Sequence, residues 1–103
     1  MRTTAVGAPP FEGVSCAEYV AANATQTAIK PSEIPQVEAA AIVTSGSAAL
    51  HALRDVAKLR ESQSILINGA SGGIGTFAIQ IAKTMGAEVT AVCSGANVLF
   101  AIG

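Results

Sequence analysis

Asn68-Gly69-Ala70-Ser71-Gly72-Gly73-Ile74-Gly75 is the stretch on which the reading of this 103-residue chain turns. Directly before it stands Ser64-Ile65-Leu66-Ile67-Asn68, a short apolar run with β-branched residues between turn signals. That is the pattern of a buried parallel strand. After the loop, Ile74, Phe77, Ala78, Ile81 and Met85 recur at i, i+3, i+4, i+7 and i+11, which makes one apolar face of a helix. Lys83 falls in the last turn, where a cation suits the helix dipole, and Gly86 suits the position just past the helix end. Glu88-Val89-Thr90-Ala91-Val92-Cys93 reads as a second buried strand. Strand, glycine turn, helix and strand form a β-α-β unit, so the chain is predicted to be of the α/β class.

Working outward toward the N-terminus, the pattern weakens. Gly7, Pro9, Pro10 and Gly13 break any period over residues 1–13. Ala17-Glu18-Tyr19-Val20 is predicted as a short strand, with Tyr19 packed in it. Pro31 and Pro35 bracket a loop, after which an Ala-rich helix is expected over residues 36–43, with Val37, Ala40 and Ala41 on one side. Thr44-Ser45-Gly46-Ser47 is expected to interrupt it, with Ser45 or Ser47 capping a second helix to about Arg60. Ala49, Leu50, Leu53, Val56 and Ala57 share the apolar spacing of that second helix. His51 sits at the edge of this stripe and reads as a solvated or satisfied structural residue.

Composition narrows the function classes. Half the residues are hydrophobic and 13% are charged, which excludes a disordered tail. The net charge is −1 and the six Lys and Arg residues are scattered, so no nucleic-acid partner and no anionic membrane surface are expected. No apolar run is long enough to span a bilayer, and the N-terminus lacks the apolar core of a secretory signal. The two cysteines, Cys16 and Cys93, match no metal-ligand spacing, so no metal site is expected. Reduced thiols in a cytoplasmic protein are the expected state, with Cys93 a buried, inert one at the end of a strand.

The loop itself suits an anion. A phosphate is held by unpaired N–H groups at a helix N-terminus, aided by the positive end of the dipole. Side chains must be absent for the phosphate to approach. Ala70-x-Gly72-x-x-Gly75 supplies this, with Ala70 in the first slot of the dinucleotide-binding glycine pattern. Gly72 admits the phosphate, Gly75 lets the helix pack closely on the strand, and Ser71 adds a hydroxyl donor. Between a predicted strand and a predicted helix, the loop is expected to bind a dinucleotide. An acidic residue at the end of the second strand would select NAD. Here that end reads Cys93-Ser94-Gly95-Ala96-Asn97, without Asp or Glu. Ser94 and Asn97 can donate to a 2′-phosphate, which favours NADPH as the cofactor.

Taken together, Ser62-Gln63, Leu66, Ala70-Ser71-Gly72-Gly73, Gly75, Gln80 and Lys83 resemble the signature of quinone oxidoreductases of the zeta-crystallin type, in the medium-chain dehydrogenase/reductase superfamily. The likeness extends to residues 16–20, to Glu38-Ala39-Ala40-Ala41, to Ala49-Leu50 with Ala52-Leu53, and to Gly86-Ala87-Glu88-Val89 with Cys93-Ser94. It implies a partial Rossmann fold, the first β-α-β unit with two preceding helices, together with a short remnant of a GroES-like β domain. Residues 1–30 would be that remnant, and residues 31–103 the N-terminal half of the NAD(P)-binding Rossmann domain. Family members are longer, so the chain is read as truncated at both ends and inactive on its own. The resemblance further implies NADPH-dependent reduction of a quinone or an α,β-unsaturated carbonyl by a homo-oligomer. Pyrophosphate contact falls to Ser71, Gly72, Gly73 and Ile74, and proximity to the adenosine 2′-phosphate falls to Ser94 and Asn97. Where the family often has Thr-Arg after Cys-Ser, this chain has Gly95-Ala96, and a threonine usual in the preceding helix is replaced by Ala48.

Two other readings compete. A non-catalytic module that binds nucleotide or a partner is consistent with seeing only the adenosine-pyrophosphate half of a site, because hydride transfer needs the nicotinamide held against a substrate. The short-chain dehydrogenases also use Gly69-x-x-x-Gly73-x-Gly75, but they usually begin with this loop, whereas here more than 60 residues precede it. No residue of the chain presents itself as catalytic.

Overall fold

The β-α-β unit predicted from the loop is present. The computed structural model describes residues 3–5, 18–19 and 23–98, which fall into two compact units, residues 1–44 and 45–103. In the second unit, β3 (Ser64–Asn68) leads through the glycine loop into α2 (Gly73–Thr84) and then into β4 (Glu88–Val92). β3 and β4 pair in parallel from Ser64 opposite Glu88 to Asn68 opposite Val92. Both boundaries of β3 match the sequence reading, and β4 ends one residue earlier than expected.

α2 closes as the sequence predicts. Its C-cap is Met85, and Gly86 follows in the left-handed region at φ 79°. The Gly86 N–H donates to the Lys83 carbonyl (3.0 Å) and the Ala87 N–H to the Ala82 carbonyl (3.1 Å). These two bonds make the paired closure of a Schellman motif, which glycine at C′ permits without a Cβ penalty.

The apolar face of α2 is rotated from the one expected. Its buried residues are Gly75, Ala78, Ile79 and Ala82, whereas Phe77, Ile81 and Met85 are half-buried and Ile74 is 53% exposed. The stripe expected from sequence runs through the largest apolar residues. Of the expected stripe only Ala78 is buried; Gly75, Ile79 and Ala82 complete the inward face, three of whose four residues are small enough for close approach. Ala49, Leu53, Ile67, Ala70, Ala78, Ile79 and Ala82 form the core cluster.

Neither strand is buried on both faces. Ile67 is buried and Ile65, Val89 and Ala91 are half-buried on the side of the core cluster, but Leu66 (64%) and Val92 (42%) are exposed on the other. The continuous apolar runs predict two-sided burial. Among the described residues one face of this two-stranded sheet is covered.

Preceding β3, the expected break at residues 44–47 is absent. α1 (Gln36–Leu50) runs through Ser45, Gly46 and Ser47 and continues as one π-helical segment, His51–Val56. Neither serine is therefore an N-cap. A mid-helix glycine costs about 1 kcal/mol relative to alanine. Starting a second nucleus would cost more than propagating an existing helix, and Gly46 is buried, where a missing side chain is an advantage. The π segment is marked by the Ala57 N–H donating to the Ala52 carbonyl five residues back (2.8 Å). That wider turn shifts the helical phase. Ala49 and Leu53 are buried as predicted, but Val56 (71%) and Ala57 are exposed, and Leu59 packs against the core in their stead.

The first unit differs more from its reading. β1 (Thr3–Ala5) and β2 (Thr27–Ile29) pair antiparallel, Thr3 opposite Ile29, where the sequence predicts no strand. Asn23 caps the 3₁₀ turn Ala24–Gln26, its Oδ1 accepting from the Thr25 N–H (3.0 Å). Glu18 lies in a bend and Tyr19 is irregular and 90% exposed, so Tyr19 is not the packed strand residue predicted. Ala17 and Val20, the ends of that expected strand, lie outside the described residues. In the Ala-rich part of α1, Ala39 is buried while Val37 (83%), Ala40 and Ala41 are exposed. Alanine on every side of a helix leaves the inward face undetermined by pattern.

Candidate functional site

β3 delivers the chain to the loop at Asn68, and Gly69 reverses it with φ 71°, a left-handed conformation that glycine adopts without strain. The Gly72 N–H donates to the Gly69 carbonyl (3.0 Å), closing the turn. Ala70 is fully buried, and its N–H donates to the Val92 carbonyl (3.0 Å), which ties the loop to the end of β4. Ala70 therefore anchors the loop from below.

Gly72 is the N-cap of α2, extended at φ −77° and ψ 173°, and no side chain caps the helix. The first helical bond is from the Thr76 N–H to the Gly72 carbonyl (3.0 Å). The N–H groups of Gly73, Ile74 and Gly75 have no acceptor among the described residues. A helix start of this kind presents a row of donors at the positive end of the dipole, the arrangement that receives an anion.

Two glycines fill distinct roles here. A Cβ on Gly75 would strike the Gly69 carbonyl and stand 2.8 Å from the Ala70 Cα, so Gly75 is where the helix crosses the loop backbone. A Cβ on Gly72 would meet only the Gly69 carbonyl, at 3.2 Å. Gly73 faces the Ser45 hydroxyl, which would lie 3.3 Å from an added Cβ. No sequence signal places Ser45 beside the helix start, because a contact across 28 positions leaves no periodic trace.

The tips of the two strands meet above this turn. Asn97 Nδ2 donates to Ser94 Oγ (3.1 Å) and to Ser71 Oγ (3.3 Å). Ser94 leads into the 3₁₀ turn Gly95–Asn97, closed by the Asn97 N–H on the Ser94 carbonyl (2.9 Å). Ser71 is half-buried, and Ser94 and Asn97 are exposed. The residues singled out from sequence, Ala70 to Gly75 with Ser94 and Asn97, thus lie at one end of the parallel sheet, beyond the carboxyl ends of its strands. That is where open α/β sheets bind ligands. Cys93, just beneath, is a half-buried free thiol, and Cys16 lies outside the described residues.

The strongest charge cluster lies elsewhere. On the exposed π segment, Arg54 donates to both oxygens of Asp55 (2.7 and 2.9 Å), and His51 Nδ1 lies 2.9 Å from Asp55 Oδ2. Arg54 first, and then His51, hold the Asp55 carboxyl well below the usual carboxylate range. Among the described residues no three His, Cys, Asp or Glu side chains come together as metal ligands. No helix among them is long and apolar enough to cross a membrane.

No protein-family model matches the chain. It is 39% identical over 93 residues to a chloroplast envelope quinone oxidoreductase homolog of Arabidopsis thaliana, covering 85% of this chain and 28% of that protein. The quinone oxidoreductase of Coxiella burnetii superposes with a TM-score of 0.85 at 31% identity, over 97% of this chain and 31% of that one. The chain belongs to the medium-chain dehydrogenase/reductase superfamily, among its quinone oxidoreductase-like members. A further such enzyme, from Thermus thermophilus and solved also with NADPH, gives a TM-score of 0.69 at 29% identity, over 76% of this chain and 26% of that one. The chain thus spans between a quarter and a third of the length of these quinone oxidoreductase relatives.

Proposed function

We propose that the crevice above β3 and β4 binds NADPH and serves reduction of a quinone or an α,β-unsaturated carbonyl. The observation that carries this reading is the uncapped start of α2, with three N–H groups lacking an acceptor among the described residues, under a loop stripped of side chains at Gly72 and Gly73. In this reading those N–H groups and the Ser71 hydroxyl receive the pyrophosphate. Ala70 and Gly75 keep the loop close to the helix. Ser94 and Asn97 face the adenosine 2′-phosphate, with no carboxylate at the end of β4 to repel it. When bound, the nicotinamide supplies the hydride. The chain's own residues hold and orient the phosphates and shield one side of the site. A cytoplasmic setting and self-association into a homo-oligomer complete the reading.

Titration of the chain with NADPH and with NADH, followed by the cofactor's own fluorescence, tests it. The chain has no Trp, so protein emission interferes little. Saturable binding with NADPH preferred is expected. A folded chain that saturates with neither nucleotide overturns the proposal. A second reading, nucleotide binding without hydride transfer, is favoured because this proposal assigns every site residue to the phosphate and adenosine side. NADPH consumption on addition of a soluble quinone separates the two.

A further inference from the structure

We infer that Asn68-Gly69 is a modification site, where the Asn68 side-chain amide deamidates through the backbone and leaves a negative charge at the entry to the glycine loop. Of the chain's three asparagines, Asn68 alone precedes a glycine. The other two are held. Asn23 Oδ1 accepts from the Thr25 N–H (3.0 Å) and hydroxyl (2.8 Å), and Asn97 Nδ2 donates to Ser94 Oγ (3.1 Å) and Ser71 Oγ (3.3 Å). Asn68 is exposed, and its side chain has no hydrogen-bond partner among the described residues. The Gly69 N–H has no acceptor among them either. Gly69 is exposed, and a Cβ there would meet nothing within 4 Å, so the space beside this peptide bond is open. Asn68 is also the last residue of β3, where local opening costs least.

The chemistry needs only water. The Gly69 nitrogen, once it has lost its proton, attacks Asn68 Cγ, and glycine brings no side chain to crowd the approach. The N–Cγ bond forms, the Cγ–Nδ2 bond breaks, and Nδ2 leaves as ammonia with the proton that Gly69 gave up. Water then opens the cyclic imide. Attack at Cγ breaks the new N–Cγ bond and yields aspartate. Attack at the Asn68 backbone carbonyl carbon breaks its bond to nitrogen and yields isoaspartate, whose main chain runs through Cβ and Cγ. Nothing is oxidised or reduced. Either product carries a carboxylate where a neutral amide stood. The Gly72 N–H closes a turn on the Gly69 carbonyl. Consecutive Cα atoms are about 3.8 Å apart and turn ends lie within about 7 Å, so the charged residue stands within roughly 11 Å of Gly72, Cα to Cα. That is about one Debye length at moderate ionic strength, so the charge opposes an anion at the start of α2. Isoaspartate also lengthens the main chain directly before Gly69, which draws the Ala70 N–H away from the Val92 carbonyl. The effect on nucleotide rests on the proposed nucleotide site, and the deamidation does not.

The folded parent and an Asn68→Gln chain are incubated at mildly acidic and mildly alkaline pH, beside the parent unfolded in urea, and then digested with trypsin. Cleavage after Arg60 and Lys83 releases residues 61–83, in which Asn68 is the sole asparagine. Mass spectrometry reads the change from amide to acid, and chromatography separates aspartate from isoaspartate. The folded parent is expected to convert at Asn68 before Asn23 and Asn97, and faster at the higher pH, because the Gly69 nitrogen must lose its proton. Asn68→Gln is expected to keep its amide, since the longer side chain cannot close the same ring. In fluorescence titration at low salt, Asn68→Asp is expected to bind NADPH roughly two- to tenfold more weakly than fresh parent, the Coulomb scale for unit charges at that separation with ε between about 20 and 80. Added salt shrinks this loss, and the aged parent loses more because part of it is isoaspartate. A folded parent that keeps the Asn68 amide while the unfolded chain loses it overturns the inference, because the fold then protects the bond. Conversion at Asn23 or Asn97 as fast as at Asn68 overturns it as well. If Asn68 converts and Asn68→Asp binds NADPH as the parent does, the effect of the charge is refuted. If the fresh folded parent binds no nucleotide, the site proposal falls, and the deamidation read by mass stands.

Discussion

Gly75→Ala is the substitution whose outcome the geometry fixes most firmly. Alanine in the first turn of a helix ordinarily helps, since glycine is disfavoured there by roughly 0.5–1 kcal/mol. At Gly75 the added carbon would strike the Gly69 carbonyl and stand 2.8 Å from the Ala70 Cα and 2.9 Å from its carbonyl carbon. Carbon atoms in contact sit at about 3.5–4.0 Å, so α2 and the loop must separate by about 0.7 Å. All three obstacles are backbone atoms, and Ala70 is pinned to Val92 by its N–H, so no side chain can swing aside. Overpacking of this kind costs about 1–3 kcal/mol. Set against the helix gain, the net loss is about 1 kcal/mol, or roughly 4–8 °C in melting temperature for a domain of this size. Gly95→Ala is the control, because a Cβ there meets nothing within 4 Å. Thermal unfolding followed by circular dichroism of parent, Gly75→Ala and Gly95→Ala is the assay. A Gly75→Ala chain that melts at or above the parent, with Gly95→Ala unchanged, would refute the close crossing of helix and loop.

Three further outcomes follow from the same structure. Gly72→Ala places a Cβ 3.2 Å from one carbonyl oxygen, so the melting point should move little while NADPH binding in the fluorescence titration weakens at least tenfold, because the methyl group intrudes where the phosphate would approach. Lys58 holds φ 50°, a left-handed conformation that costs an L-residue about 1–2 kcal/mol; Lys58→Gly relieves it and should raise the urea midpoint, less the entropy glycine loses on folding. Asp55, held below its ordinary range first by Arg54 and then by His51, binds its proton less readily folded than unfolded, so its contribution is present above about pH 4 and fades as pH falls below that value. The pair is solvent-exposed, so Asp55→Asn should lower the urea midpoint slightly at neutral pH and by still less at pH 3, with added salt shrinking the difference as well.

The local parts of the fold are legible in the sequence, and the parts set by tertiary contact are not. β3, α2, β4 and the closure at Gly86 each carry a signal within a few residues: β-branched runs, a helical repeat and a glycine at C′. Of the predicted face of α2 only Ala78 is buried, and the rest of the inward face escapes the pattern because Gly75 and Ala82 weigh little in any hydrophobic repeat. The run through Ser45-Gly46-Ser47 reads as a break because the burial of Gly46 is invisible locally. The π turn then moves Val56 and Ala57 out of the expected stripe. At the site, the glycine loop announces itself by spacing. Its meeting with Ser94 and Asn97 can be expected only from the register of two parallel strands, and the approach of Ser45 to Gly73 cannot be expected at all.

The loop's glycines divide by what an added carbon would do. Gly69 needs its left-handed φ for the turn, and Gly75 needs its bare Cα for the crossing of helix and loop; both belong to the fold. A Cβ on Gly72 or Gly73 would meet a carbonyl oxygen at 3.2 Å or a serine hydroxyl at 3.3 Å, tight contacts that a shift of a few tenths of an ångström relieves, so the fold depends less on their bareness than on that of Gly75. The donors at the start of α2 are backbone N–H groups, which no substitution other than proline removes, whereas Ser71, Ser94 and Asn97 supply replaceable side-chain donors. In the proposed site the N–H groups and Ser71 serve the pyrophosphate, and Ser94 and Asn97 serve the choice of nucleotide. Variants at Asn97 should change the second while leaving the first in place, and variants at Gly72 should lower affinity for every nucleotide alike.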